Sequence, residues 1–187
     1  GSSATFTLTQ LRDLFLAPDW HPAAHEPMPD VVARGRRPEV YACGFCHRAE
    51  GSGGPENSRL AGLPAAYIVQ QMADFKSGAR GSSVPNRLPT TAMISVAKAV
   101  TAAEVAAAAS YFAAIPPRRS IRVIETATVP KTSVANWILA VDESGEREPI
   151  GARIIEVPED PEQFEHRDSR AGFIVYAPIG SIRKGEA

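Results

Sequence analysis

The sequence has little of several features that would define its class. It has two cysteines in 187 residues, Cys43 and Cys46, so a framework of disulfide bonds cannot hold the chain. Aromatic residues make up only 7%, which is low for filling a core. No apolar run approaches the length of a membrane span. The net charge of −1 implies no general attraction to polyanions or membrane surfaces.

The composition that remains is that of a folded protein. Hydrophobic residues make up 44% and charged residues 22%, which argues against wholesale disorder. The first residues, Gly1-Ser2-Ser3, show neither the basic nor the apolar region of a signal peptide. Residues 1–20 therefore neither indicate nor exclude export.

The pattern of residues changes near Pro116-Pro117. Before this point, alanine-rich segments with apolar residues at helical spacing predict helices. After it, short β-branched runs between prolines and glycines predict strands. We therefore expect a mainly α-helical domain over residues 1–117, followed by a small β-rich extension or inter-domain segment over residues 118–187.

Turn and capping signals predict where the elements begin and end. Capping boxes start at Thr7 and Thr101, and Pro18 and Pro116 end the helices that follow them. The remaining predictions are a helical turn at 29–34, a helix opened by Pro38 that carries 41–48, a helix from Pro64 to Gly78, an irregular stretch at 79–92, a short helix at 93–99, and strands at 121–125, 137–141, 153–157 and 173–177.

Cys43-Gly44-Phe45-Cys46-His47 has the C-x-x-C-H pattern of covalent haem attachment. The spacing follows from the chemistry, because residues at i and i+3 of a helical turn face the same way. Two thiols on one face can add to the two vinyl groups of one porphyrin edge. The next residue, His47, then presents its imidazole to the iron.

Two other interpretations of the cysteine pair are a redox dithiol and half of a zinc site. A redox C-x-x-C motif would sit near a βαβ pattern, and the sequence has none. Tetrahedral zinc needs four ligands, and His21, His25 and His166 show no ligand spacing. Both alternatives are weaker than haem attachment.

An iron bound by one histidine needs a sixth ligand or an open position. The candidates are Met28, Met72 and Met93. Met72 lies on an apolar helix face, where methionine usually fills a core. Met93 follows the irregular stretch, 46 residues after His47, and a loop can carry a thioether to the opposite haem face. We favour Met93, because His/Met ligation suits electron transfer.

The stretch from Cys43 to Phe112 resembles a class I c-type cytochrome of the small bacterial periplasmic type. The resemblance rests on the haem motif, the step Leu60-Ala61-Gly62, the segment from Tyr67 to Arg80, and Met93-Ile94 before the last helix. It implies a five-helix fold around one covalent haem c. It also implies that the helix leading into Cys43 crosses the last helix.

The resemblance also implies roles for supporting residues. The family often has proline where this chain has Ser58, and the carbonyl there holds the axial imidazole. We expect Tyr67 to bond a propionate or the Met93 sulfur, or else to fill the core. Arg59 and Arg80 are candidates to pair with propionates. The residues expected to line the haem are Leu60, Leu63, Ile68, Phe75 and Ile94.

The function that the resemblance implies is electron transfer rather than catalysis. Its setting would be the periplasm, with a dehydrogenase, an oxidase or another cytochrome as redox partner docking at the haem edge. The whole chain also resembles the N-terminal portion of a larger di-haem cytochrome, although no second C-x-x-C-H occurs before Ala187. The alternatives are a haem enzyme or sensor with a displaceable sixth ligand, with His21 or His25 on the distal side, and a docking role for residues 118–187.

Overall fold

The structure is a computed structural model that describes residues 2–135 and 138–187. The chain forms two compact units. The first unit runs to Arg118 and also contains His166–Ser169, and the second contains Arg119–Glu165 and Arg170–Ala187. The boundary lies one residue beyond the division predicted from the sequence. The return of four residues to the first unit has no counterpart in that prediction.

The first unit is helical. Its elements are α1 (Leu8–Arg12), a 3₁₀ turn (Pro22–Ala24), α2 (Asp30–Ala33), α3 (Cys43–His47), α4 (Ala65–Ser77), α5 (Leu88–Ala99) and α6 (Ala102–Ala114). Both predicted capping boxes are present, at Thr7 and Thr101, and each threonine hydroxyl accepts a backbone N–H at 3.2 Å. A left-handed Gly78 ends α4, as predicted.

Two helices are shorter than predicted. The first ends at Arg12 rather than Pro18, because the Asp13 carboxylate accepts the Phe15 N–H at 2.9 Å and competes with helical hydrogen bonding. Pro38 does not open the next helix. Backbone hydrogen bonds between Arg36 and Val40 hold Pro38 in a turn, so α3 begins only at Cys43.

Helix α5 is longer than predicted. It begins at Leu88, so the last five residues of the stretch predicted to be irregular are helical. Pro89 lies in the first turn, where a helix does not need the N–H that proline lacks. The proline that suggested a loop therefore marks the start of a helix.

Helix α6 supplies much of the core of the first unit. It packs against α4 and α2 and buries Ala108, Ala109, Tyr111 and Phe112. The Phe112 side chain is 1% exposed, and its ring centroid lies 6.4 Å from that of His47. The last helix of the first unit thus packs beside the Cys43–His47 turn.

The second unit is β-rich. Its elements are β1 (Ile121–Glu125), β2 (Thr128–Pro130), β3 (Thr132–Ala135), β4 (Ile138–Val141), β5 (Arg147–Pro149), β6 (Ile155–Pro158), α7 (Pro161–Glu165), β7 (Phe173–Ala177) and α8 (Ser181–Gly185). A three-stranded sheet has the order β1-β7-β6, with β1 parallel and β6 antiparallel to β7. Two further antiparallel pairs join β2 to β5 and β3 to β4.

All four predicted strands correspond to strands in the structure. The prediction at 153–157 was displaced, since the strand runs over Ile155–Pro158. Trp137, the first residue of another predicted strand, lies outside the described residues. The prediction missed β2, β3 and β5, which have only three or four residues each and so carry little periodicity.

The second unit has an apolar core of its own. Val129, Ile150, Ile155 and Val157 form a cluster in which each residue is at most 3% exposed. The Phe164 and Phe173 rings meet edge to face with centroids 5.8 Å apart. Within the described part of the chain, every helix falls short of the length and hydrophobicity that a membrane span requires.

Candidate functional site

The candidate site is built on α3, a single helical turn that carries Cys43, Cys46 and His47. The two thiols are not joined in a disulfide. Gly44 allows this turn to pack closely, because a Cβ there would lie 2.7 Å from the Ala17 Cβ and 3.1 Å from the Val32 carbonyl oxygen. The glycine inside the motif therefore fixes α3 against the segments that precede it.

The orientation of the His47 imidazole is set by a backbone carbonyl. Its Nδ1 lies 2.8 Å from the carbonyl oxygen of Ser58, to which it donates a hydrogen bond. This leaves Nε2 as the ring nitrogen that can bind a metal. Burial lowers the pKa of His47, although the Ser58 hydrogen bond opposes this, and the lower pKa favours the neutral ring, the form that can bind a metal.

The loop after α3 brings Ser58 to the histidine. The N–H of Gly53 donates to the His47 carbonyl at 3.0 Å. Gly53 has a φ of +67°, and a Cβ there would lie 2.8 Å from the Ser58 carbonyl carbon. Only glycine fits this position, so the glycine-rich loop that follows the motif is part of the histidine's support.

The thiols are in poor environments for redox exchange. Burial raises the pKa of Cys43 to about 12 and also raises the pKa of Cys46, where the charges of Arg167 and Arg48 oppose the rise. Dithiol exchange needs a readily formed thiolate. Among the residues that the structure describes, no three His, Cys, Asp or Glu side chains form a metal-binding group. Both observations weigh against the redox-dithiol and zinc interpretations.

Several predicted lining residues come together with the motif. Leu60, Leu63 and Cys43 are half-buried and pack against a core cluster that contains Ile68. Phe75, also predicted to line the haem, is half-buried on α4. The candidate ligand Met93 and the predicted lining residue Ile94 are half-buried on α5, which packs against α4. Met28 and Met72, the other candidate ligands, pack against the core cluster.

The predicted polar residues have protein partners. Arg59 donates to the Arg118 carbonyl oxygen at 2.8 Å. Arg80 donates to the Gln71 side-chain oxygen and lies over the Phe75 ring, 4.7 Å from its centroid. Tyr67 is 48% exposed, so the chain alone does not bury it as a core residue. Their roles toward a haem stay predictions.

His21 and His25, the two histidines considered for the distal side of the haem, each contact other side chains of the first unit. His21 Nε2 lies 2.9 Å from an Asp168 carboxylate oxygen. The His25 side chain is 3% exposed, with Nε2 3.3 Å from Asp19 and Nδ1 3.0 Å from the Tyr111 hydroxyl. These contacts do not favour a role for either ring as a distal acid or base.

Sequence reasoning missed two parts of the site's support. The Tyr111 hydroxyl donates to the carbonyl oxygen of Ala49, two residues after His47, at 2.8 Å. Arg167, far along the chain, donates to the Phe45 carbonyl oxygen inside the motif at 3.2 Å. The Tyr111-Phe112 pair on α6 was a usable signal for the first contact, whereas nothing local in the sequence indicates the second.

Comparison with known proteins locates the relatives of this chain. No family model matches it. The chain is 39% identical over 82 residues to a "Thiosulfate dehydrogenase electron acceptor" of Thiomonas intermedia, covering 43% of this chain and 34% of that protein. A protein of the same name from Stutzerimonas stutzeri is 36% identical over 83 residues, covering 43% and 38%.

Two further matches are to a cytochrome and to a dehydrogenase of known structure. "Cytochrome c-552" of Acidithiobacillus ferridurans is 31% identical over 77 residues, covering 41% of this chain and 30% of that protein. A solved thiosulfate dehydrogenase (TsdBA) of Marichromatium purpuratum matches 48% of this chain and 18% of its own, with 32% identity and a TM-score of 0.40. The matched segments span about a third of the length of the curated relatives.

The sequence relatives and the C-x-x-C-H turn identify the same family, as the sequence alone predicted. The relatives are a cytochrome and two proteins named as electron acceptors. The chain is therefore similar in sequence to a c-type cytochrome and to two electron-acceptor proteins, in agreement with the resemblance that its C-x-x-C-H motif carries.

Proposed function

We propose that this chain is an electron carrier with one haem c, bound covalently through Cys43 and Cys46 and ligated by His47 and Met93. When bound, the haem supplies a one-electron couple between ferric and ferrous iron. The protein's part is to hold the ligands, exclude water and set the potential. With both axial positions filled, the iron has no place for a substrate, so the proposed function is not enzymatic.

The observation that carries the proposal is the arrangement of α3 and Ser58. The two attachment thiols and the imidazole share one helical turn, and the Ser58 carbonyl oxygen lies 2.8 Å from His47 Nδ1. That hydrogen bond fixes the ring and leaves Nε2 for iron. The residues present therefore fit a covalently attached, histidine-ligated haem.

The choice of Met93 is supported by its position on α5. It is half-buried in the second turn of a helix that packs against α4, which carries Phe75 and Ile68. Met72 instead packs against the core cluster of the first unit, where methionine usually fills apolar space. A thioether ligand raises the potential of a histidine-ligated haem, which suits a carrier.

The haem surroundings are proposed to be apolar, with polar groups at the rim. The lining residues are those named from the sequence: Leu60, Leu63, Ile68, Phe75 and Ile94. Arg59 and Arg80 are proposed to pair with the propionates, and Tyr67, half-exposed in the chain alone, is proposed to bond a propionate or the Met93 sulfur. Burial of the haem would use apolar surface that the chain leaves half-covered.

The proposed partner is a dehydrogenase in the periplasm that passes electrons to this haem. Two relatives are named as electron acceptors of thiosulfate dehydrogenase, which points to a dehydrogenase acting on reduced sulfur compounds. Contact would occur at the exposed haem edge, over a small and transient interface. Thioether attachment of haem needs an exporting assembly route, which agrees with a periplasmic location. The second unit, residues 119–165 and 170–187, is proposed to serve docking or to lead toward a further haem domain.

The axial ligand is tested by Met93→Ala in the full chain. We expect a lower reduction potential, measured by a redox titration that is followed in the visible spectrum. We also expect a new site for carbon monoxide on the ferrous protein, seen as a change in the same spectrum. Met72→Ala is the matched control, which we expect to lose stability without opening a carbon monoxide site. If Met93→Ala keeps the wild-type spectrum and binds no carbon monoxide, the ligand assignment is wrong. If the wild-type protein binds carbon monoxide, the haem enzyme or sensor replaces the carrier.

The partner is tested by mixing the purified ferric protein with a thiosulfate-oxidising dehydrogenase and thiosulfate. We expect the ferrous spectrum to appear only when all three are present. Reduction by thiosulfate alone, or no reduction under any condition, would contradict the proposed electron donor.

A further inference from the structure

Four residues from far along the chain belong to the same unit as the haem motif. We name these residues, His166–Ser169, the clasp. In the sequence they lie between residues 119–165 and 170–187, which belong to the second unit. The His166 carbonyl oxygen accepts the Trp20 indole N–H at 2.8 Å, and Asp168 lies 2.9 Å from His21. The buried Ser169 hydroxyl accepts the Glu50 N–H at 3.1 Å. The first unit is therefore not complete at Arg118.

Arg167 places a guanidinium against the attachment turn. The Arg167 Nε donates to the Leu11 carbonyl oxygen at 2.9 Å, and Nη1 donates to the Phe45 carbonyl oxygen at 3.2 Å. The same guanidinium lies over the Phe45 ring, 3.6 Å from its centroid. Phe45 is 2% exposed and stands between the two attachment cysteines. One side chain thus contacts both the backbone and the aromatic ring of α3.

The contact has an electrostatic consequence. Arg167 is half-buried, so salt and water screen its charge less than they screen an exposed arginine. Its guanidinium lies 3.6 Å from the centroid of the Phe45 ring, and Phe45 is next to Cys46 in the attachment turn. Ferric iron carries one more positive charge than ferrous iron. A fixed positive charge nearby therefore favours the reduced state and raises the reduction potential.

We propose that Arg167 is a positioning residue for the haem-attachment turn and that its charge raises the reduction potential of the attached haem. The inference rests on the proposed function, because it requires a haem on Cys43 and Cys46. It goes further by assigning an electrostatic role to a residue 121 positions after Cys46, outside the continuous haem segment.

The test compares neutral and charged replacements in the full haem-loaded chain. Arg167→Met and Arg167→Gln remove the charge, and the glutamine amide can still donate to a carbonyl. Arg167→Lys keeps the charge and loses the planar stacking on Phe45. Arg37→Met is the matched control, since Arg37 also lies over an aromatic ring, that of Phe15 at 4.3 Å, but is 66% exposed and paired with Asp13.

The measurements are the midpoint potential by spectroelectrochemistry and the haem content by pyridine haemochrome. We expect lower potentials for both neutral variants, a potential near wild type for Arg167→Lys and Arg37→Met, and reduced thermal stability for all three Arg167 variants. Neutral variants with the wild-type potential would overturn the inference, as would a lysine variant whose potential falls as far as theirs. Absence of covalent haem from the wild-type chain would instead defeat the proposed function, and this inference with it.

If Arg167→Met does not fold, Arg167→Gln and Ser169→Ala keep the inference open to test. Ser169→Ala removes the hydrogen bond to the Glu50 N–H and leaves the Arg167 side chain in place. We expect it to lower the unfolding temperature and to leave the potential unchanged. A potential shift in Ser169→Ala equal to that of Arg167→Gln would show that loosening the clasp, rather than losing the charge, moves the potential, and would overturn the electrostatic role.

Discussion

The two units of this chain fill their cores in different ways. In the first, Leu60, Leu63 and Cys43 are half-buried against a core cluster that includes Val32 and Phe112. In the second, Val129 and Ile155 are nearly inaccessible within a cluster made by the chain alone. Each unit has a buried cluster of its own side chains, and under the proposed function the haem would cover half-buried residues of the first unit.

The largest expected effect comes from removing the attachment thiols. The double variant Cys43→Ala/Cys46→Ala should carry no covalent haem. Because a bound group stabilises the state that binds it, residues 102–114 should then lose protection from hydrogen exchange, while residues 173–177 keep theirs. Hydrogen exchange with mass spectrometry reports both regions in one sample. Equal protection of the helical unit with and without haem would remove the contrast between the units.

The second effect concerns the aromatic ring that packs beside His47. Phe112 is 1% exposed, and Phe112→Ala should destabilise the first unit by about 4 kcal/mol. It should also alter the haem spectrum, since the ring centroids of Phe112 and His47 are 6.4 Å apart. Thermal unfolding followed in the haem absorption band measures both. An unchanged spectrum and midpoint would show that Phe112 does not support the site.

The third effect comes from the matching core substitution in the β-rich unit. Ile155 is 3% exposed, and Ile155→Ala should cost about 3 kcal/mol in that unit. The haem spectrum and potential should stay those of the wild type. Hydrogen exchange at 155–158 reports the stability of the second unit, and the visible spectrum reports the surroundings of the haem. A changed haem spectrum in this variant would mean that the units are not independent.

The smallest effect is the acid sensitivity of α6. The hydrogen bond from Arg36 lowers the pKa of Glu104 from 4.5 to about 2. The resulting stabilisation is complete above about pH 4.5 and is lost as the pH falls toward 2. Arg36 is exposed, so solvent screens the pair and its contribution is small.

Glu104→Gln keeps the capping-box acceptor and removes the charge. Its urea midpoint at pH 6 should be closer to its midpoint at pH 3 than is the case for the wild type. The same difference between the two pH values in both proteins would contradict the role of Glu104.

The sequence predicted most of what depends on local signals. The capping boxes at Thr7 and Thr101 and the C-x-x-C-H turn were read from neighbouring residues, and the structure contains all three. The start of α5 was misplaced because Pro89 permits either a loop or a first helical turn. Local chemistry alone could not separate these two outcomes.

What depends on distant contacts was not predictable from the sequence. Arg167 reaches Phe45 across 122 positions, and no local pattern marks it. The short strands β2 and β5 are defined by their pairing rather than by periodicity. The Arg167 contact is of this kind, whereas Cys43, Cys46 and His47 lie within one recognisable motif.

The central claim is that this chain carries one haem c on Cys43 and Cys46. Its most direct test is a pyridine haemochrome spectrum together with the intact mass of the full chain, produced in a host that matures c-type cytochromes. We expect the spectrum of a doubly thioether-linked haem and a mass increase of one haem per chain. An unmodified mass, or a haem released by acid extraction, would contradict it.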